Sequence, residues 1–225
     1  MKITASSLIR WSGLAAMAAG IIFVVVQPIH PPDVVSSAST PRWAIVHVFS
    51  TIMCFLALLG VTGLYARQVN EAGWLGLVGY LVFSLFWALQ APYVFAEAFI
   101  LPHLTKAAPQ FVQGWMTIAG GPVGGGMSLG ALATVYQVIG GLYILGGLLF
   151  GIATFRARIL SRWAAGFLIV APLAAPVGAL LPGELNRIAA VPMGIALAWL
   201  GYALFSDRRG QASDPVGGRE SSRVR

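Results

Sequence analysis

The amino-acid sequence predicts an all-α polytopic membrane protein, a six-helix transmembrane bundle built as three tandem helical hairpins. Three observations predict it. The 225-residue chain is 58% hydrophobic and only 9% charged, against about 25% charged in soluble domains. Its apolar runs are close to the roughly 20 residues that a helix needs to cross a bilayer. Its basic residues flank those runs, so the net charge of +7 reads as topology rather than as a nucleic-acid surface. The expected spans are about 11–27, 43–66, 74–101, 129–155, 163–181 and 188–205. They form one domain over residues 1–206, with residues 207–225 as a disordered, basic cytoplasmic tail.

Lys2 and Arg10 precede an apolar run from Trp11 to Val26. It is slightly long for a signal sequence, and the nearest small-residue site lies beyond Pro28, Pro31 and Pro32. An uncleaved first span is expected. Gln27 to Pro41 is rich in Pro and Ser and reads as an extended loop. The second span, Trp43 to Ala66, closes on Arg67 and a short polar link to Gly73. The third runs from Trp74 to Leu101, with Pro92 expected to kink it.

The long connection from Pro102 to Ser128 is too long for idle coil. Within it, Phe111, Val112, Trp115, Met116 and Ala119 recur at helical spacing opposite Gln110, Gln113 and Thr117, as in a short helix lying in the membrane interface. The run GGPVGGG from Gly120 to Gly126 then offers a hinge, and no GK[ST] follows to make it a phosphate loop. The fourth span ends at Arg156, Arg158 and Arg162. The fifth is interrupted by Pro172 and Pro176, and the sixth gives way to the polar tail at Ser206.

Orientation follows from Lys and Arg near span ends. With the N-terminus inside, the inner side holds eleven of them and the outer side only Arg42, Lys106 and Arg187. Both termini are therefore expected in the cytoplasm. The arrangement fits a bacterial-type plasma membrane, with the lipid bilayer as the main partner and anionic lipid at the basic cytoplasmic ends.

A weak internal repeat supports the span count. Odd spans begin alike (RWSGL at Arg10, GWLGL at Gly73, RWAAG at Arg162), and even spans end alike (GLYAR at Gly63, IATFR at Ile152, GYALF at Gly201). This reads as parallel tandem hairpins. Small residues four apart, Ala16 with Gly20 and Gly147 with Gly151, allow close helix approach. In outline, residues 8–206 resemble small six-helix bacterial integral membrane proteins of unknown function. The resemblance implies a membrane location and carries over no functional residue.

The candidate site lies at the outer ends of the second and third spans. In FWALQAPYVFAEAFILPH, Phe86 to His103, the residues Gln90, Tyr93 and Glu97 share one helical stripe. A carboxylate at membrane depth is costly and marks a functional-site hypothesis. His47, Thr51 and Cys54 form a second stripe on the antiparallel neighbour. At 1.5 Å per residue, His47 and Glu97 both lie about 6 Å below the outer helix ends and should meet. Tyr136 and Gln137 of the fourth span enter near the Thr51 level. Together these predict a polar pocket roofed by the long loop.

Several chemistries compete for that pocket. The ligand-binding or proton-coupling candidates are Glu97, His47, Tyr93, Gln90, Thr51 and Gln137. A divalent metal would draw on His30, His47, His103, Glu97 and Asp33, although no close spacing such as HExxH is present. The lone Cys54 excludes an intramolecular disulfide and a cysteine-based zinc cluster. GMSLG from Gly126 to Gly130 formally matches a nucleophile elbow around Ser128, but that elbow requires a strand-to-helix turn. Rhomboid-type serine proteases pair their serine with a later histidine, and none follows His103 here. Axial haem ligation by His47 and His103 is disfavoured by the helix-ending Pro102. The leading expectation is therefore non-enzymatic binding or transport of a small solute or ion. The alternatives are a metal-dependent or redox membrane enzyme, and a structural or interaction protein whose His–Glu pair fixes helix register.

Overall fold

The computed structural model describes residues 4–121, 126–178 and 185–207. Among the described residues all regular structure is helical: α1 (Ala5–Ile29), α2 (Val35–Ala38), α3 (Pro41–Arg67), α4 (Val69–Phe99), α5 (Leu101–Ala107), α6 (Pro109–Ile118), α7 (Ala131–Ala157), α8 (Arg162–Gly178), α9 (Leu185–Ile188) and α10 (Val191–Ser206). Four of these, α1, α3, α4 and α7, are long and apolar enough to cross a membrane. With that many such helices the chain is a multi-pass membrane protein. The apolar helices α8 and α10 are shorter. The end of the expected fifth span, four residues of the glycine-rich hinge and nearly all of the basic tail lie outside the described residues.

Local chemistry sets the helix ends. Thr4 opens α1 with a reciprocal capping box to Ser7, which satisfies two backbone donors that have no partner inside the helix. Thr40 caps α3, accepting from the Trp43 N–H, and Pro41 occupies the first turn, where its missing N–H costs nothing. Arg42 Nε donates to the Ile29 carbonyl at 2.6 Å, placing a cation at the C-terminus of α1. Arg10 does the same for α10 through the Phe205 carbonyl at 3.1 Å. These are the termini where a positive charge is favoured by the helix dipole.

Three local expectations differ from the structure. α1 continues through Pro28 to Ile29, and the Pro- and Ser-rich stretch that follows contains the short helix α2. α4 resumes directly after Gln68, and its break lies at Gly73 (φ 56°, ψ −156°), whereas Pro92 sits within helical backbone. The sterically permissive residue takes the bend. The connection after the third expected span is mostly helical, with α5 turning into the amphipathic α6. Pro102 and Pro109 each stand in a first turn there, starting a helix rather than ending one.

Packing makes a ring. α1 lies against α3, α3 against α4, α4 against α7, α7 against α8, α8 against α10, and α10 closes on α1. Between α1 and α10 the backbones nearly touch: a Cβ built on Gly20 would fall 2.4 Å from both the Gly194 carbonyl oxygen and the Ala198 nitrogen. Without a hydrophobic driving force in lipid, such close backbone approach supplies the dispersion contacts that hold helices together. Trp43, Phe83, Trp87 and Phe150 are fully buried inside the ring, while Phe49, Phe55, Leu59 and Trp74 are exposed on its perimeter, where lipid would meet them.

Candidate functional site

Inside the ring lies a cavity of about 320 Å³. Its walls come from α1, α3, α4 and α7, and residues near α9 and the end of α6 complete one rim. That rim is at the end of the bundle bearing α2, α5 and α6. Charged and titratable side chains gather there: His30, Asp33, His47, Glu97 and Arg187 all line it.

Glu97 is the centre of the cluster and is only 7% exposed. Its Oε2 lies 3.3 Å from His47 Nε2, and its Oε1 accepts from Trp115 Nε1–H of α6 at 3.0 Å. The backbone carbonyl of Glu97 accepts from Trp43 Nε1–H at 2.8 Å. Trp43 in turn stacks on the His47 ring at a centroid distance of 4.1 Å. Trp115 and His47 therefore hold the buried carboxylate from two sides, while Trp43 anchors the Glu97 backbone.

The proton count of the pair follows from these bonds. His47 Nδ1 lies 2.8 Å from the Trp43 carbonyl oxygen. A carbonyl only accepts, so Nδ1 carries a hydrogen. A neutral His47 would then present a bare lone pair at Nε2 toward Glu97. One further proton, held either as imidazolium against carboxylate or as imidazole against carboxylic acid, makes the 3.3 Å approach favourable. Loss of that proton would leave two acceptors facing each other in a buried site.

A second histidine and an ion pair extend the cluster. His30 Nδ1 lies 2.6 Å from the Pro31 carbonyl, and its ring is 5.0 Å from that of His47. His30 lies just beyond α1, and burial, with Arg187 and His47 adding to it, pushes its pKa down to about 3. It is neutral at physiological pH. Asp33 forms an ion pair with Arg187. Burial raises the Asp33 pKa above the usual carboxylate range, and the Arg187 charge works against that rise.

The sequence-predicted residues divide clearly. Gln90, His47 and Glu97 line the cavity, as do His30 and Asp33 from the metal pool. Thr51 is buried, and its hydroxyl donates to the His47 carbonyl at 2.8 Å, a bond back onto its own helix. Tyr93 donates to the Leu132 carbonyl at 2.6 Å, tying α4 to α7. Gln137 is exposed, and its neighbour Tyr136 lines the cavity instead. His103 is exposed on α5 and is not among the lining residues. Among the described residues, no three His, Cys, Asp or Glu side chains converge at metal-binding distance. Ser128 is exposed; its hydroxyl accepts from the Gly130 N–H at 3.4 Å, in the turn that opens α7.

Sequence reasoning missed Arg187, Trp43 and Trp115 as site residues. Arg187 counts in the sequence only as a topology charge. Trp115 was visible on the apolar face of a predicted amphipathic helix, but nothing in its spacing says which helix it meets. Comparison of the chain with protein-family models, with curated proteins and with solved structures finds no match.

Proposed function

We propose that this protein binds or transports a small solute through the ring cavity, coupled to the proton held between His47 and Glu97. The observation that carries this reading is the approach of His47 Nε2 to Glu97 Oε2 at 3.3 Å, at the rim of a cavity large enough for a small molecule. A solute that replaces either partner in that bond frees the proton. A solute that leaves takes the pair back to its protonated state. Arg187 and Asp33, already paired, supply polarity at the rim without adding net charge.

In this reading α8 and α10 complete six spans as three tandem hairpins within residues 1–206, followed by the basic tail. The charge distribution supports cytoplasmic termini, so the cavity opens outward from a plasma membrane and α6 roofs it. Arg208 and Arg209 would then meet anionic lipid at the inner surface. The leading role is non-enzymatic.

The test is proton movement in proteoliposomes under an imposed pH step, read with a trapped pH dye, for wild type and Glu97→Gln. The wild type should exceed empty liposomes, and the folded Glu97→Gln variant should fall to their level. Unchanged flux in Glu97→Gln removes Glu97 from the mechanism. Wild-type flux equal to empty liposomes rejects the coupling.

A further inference from the structure

The charge balance of the cavity says which kind of solute can take the proton's place. Around the rim stand His30, Asp33, His47, Glu97 and Arg187. Asp33 and Arg187 pair and cancel, and His30 is neutral, its pKa held at about 3. Tyr136 and Tyr143 of α7 also line the cavity, and Cys54 is buried in α3; phenols and thiols ordinarily titrate above neutral pH. Arg42 acts on His30 electrostatically but is exposed, engaged with the Ile29 carbonyl. Among the described residues the balance therefore rests on His47 and Glu97. With one proton between them the pair has no net charge; without it the pair carries one negative charge.

The deprotonated pair lacks two things at once. Its negative charge is buried while the cation at the rim, Arg187, is already engaged by Asp33, and a buried charge without a partner is costly. His47 Nε2 and Glu97 Oε2, 3.3 Å apart, are then two acceptors with no hydrogen between them, because the His47 hydrogen sits on Nδ1 toward the Trp43 carbonyl. A protonated amine supplies both the positive charge and the N–H. A quaternary ammonium supplies only the charge, and an anion would add to the excess. Ser50, just under one turn beyond His47 on α3, and Gln90 of α4 also line the cavity; their oxygens can accept from the remaining N–H groups, directly or through water.

The rest of the cavity describes the body of that amine. Phe23, Met53 and Ile139 line it, with Met53 roughly 9 Å beyond His47 along α3. Phe86 and Tyr143, their rings 5.1 Å apart, line it deeper still. At about 320 Å³ the cavity has room for roughly ten water-sized groups of about 30 Å³, so a bare sodium or potassium ion would leave nearly all of it unfilled. An apolar or aromatic body carried by the ammonium fills it and buries apolar surface on both sides.

Resting on the reading of the cavity as a proton-coupled solute site, we propose that its solute is a monovalent organic cation, a protonated amine with a small apolar or aromatic body, which exchanges for the proton between His47 and Glu97. An ammonium N–H takes the place of that proton, one proton leaves to solvent, His47 stays neutral and Glu97 becomes a carboxylate. The net charge of the cavity is the same before and after the exchange.

The test is calorimetry on the full chain in nanodiscs with phenethylammonium, between about pH 5 and pH 8, in two buffers of different ionisation heat so that released protons are counted. An alkylamine stays protonated over that range, as Lys does. Phenethylammonium should bind saturably and release about one proton per molecule at the acidic end, where its affinity should fall by up to tenfold per pH unit. Four controls each remove one feature: phenethyl alcohol the charge, phenethyltrimethylammonium the N–H, methylammonium the body, and sodium both N–H and body. Each should bind at least tenfold more weakly, and Glu97→Gln should abolish phenethylammonium binding. Absence of saturable phenethylammonium binding overturns the proposal. So does binding without proton release at every pH, binding of any control as tight as that of phenethylammonium, or undiminished binding in the folded Glu97→Gln variant. The proton count is read on the wild type and decides the matter even where Glu97→Gln does not fold. Glu97-dependent proton flux without phenethylammonium binding rejects only this solute class; Glu97-dependent binding without wild-type proton flux rejects transport and leaves the cation site in place.

Discussion

Trp115→Phe tests whether α6 is pinned over the cavity through Glu97. The substitution keeps an aromatic ring against Tyr93 and Phe111 and deletes the Nε1–H that reaches Glu97 Oε1 at 3.0 Å. A hydrogen bond to a charged acceptor contributes about 1.5–3 kcal/mol, and one to a neutral acceptor about 0.5–1.5 kcal/mol. Measured side-chain hydrogen bonds within membranes average about 0.6 kcal/mol and reach about 1.7 kcal/mol. Taking these ranges together, the expected coupling is about 1–2 kcal/mol. A double-mutant cycle with Glu97→Leu isolates it, since the small cavity left by losing the indole is common to both backgrounds. The assay is reversible unfolding in mixed micelles, followed by circular dichroism across a denaturing-detergent titration. A coupling below about 0.5 kcal/mol matches independent sites and would refute the argument that Glu97 holds α6.

Other perturbations follow from the same geometry. Gly20→Val drives a side chain into backbone on α10 and should cost about 1–3 kcal/mol by overpacking, whereas Gly166→Ala, with open space at its Cβ, should leave the unfolding midpoint in place; equal effects would contradict the α1–α10 contact. His30 has a pKa held near 3 in the folded chain against 6.5 as its ordinary value. The folded state therefore refuses a proton that the unfolded chain takes up. The resulting stability is fully present above about pH 6.5 and lost as pH falls toward 3. His30→Asn, which can still donate to the Pro31 carbonyl, should flatten the decline in thermal midpoint between pH 6.5 and 4. Parallel declines in the two proteins would show that other groups carry it.

The fold class was legible because bilayer energetics act on composition. With no water to satisfy backbone groups, an apolar run of this length has only the helix or the closed barrel open to it, and the unbroken apolar character of α1, α3, α4 and α7 selects the helix. α6 was legible from its periodicity, although α5 was not, because Pro102 reads equally as a helix stop and as a first-turn residue. The meeting of His47 with Glu97 was also legible. Rise per residue gives depth, and two stripes of polar residues on consecutive helices have little reason to face lipid.

What remained hidden depends on rotation and on distant segments. Depth alone does not say which of two adjacent residues faces inward, so Gln137 and Tyr136 could not be separated until α7 was packed on α4. Thr51 and Tyr93 share the right depth with the site, yet their hydroxyls are taken by carbonyls, that of Thr51 by His47 on its own helix and that of Tyr93 by Leu132 across at α7. Arg187 reaches Asp33 across 154 positions of chain, and Trp87 joins Tyr143 in the cavity only because the ring closes around them. The sequence by itself determined that this chain enters a membrane as helices and where along them polarity is concentrated, because transfer free energy and helical period are local properties. Only the tertiary structure decided which polar groups meet and which are satisfied by their own backbone, because those outcomes depend on how each helix is turned about its axis by its neighbours.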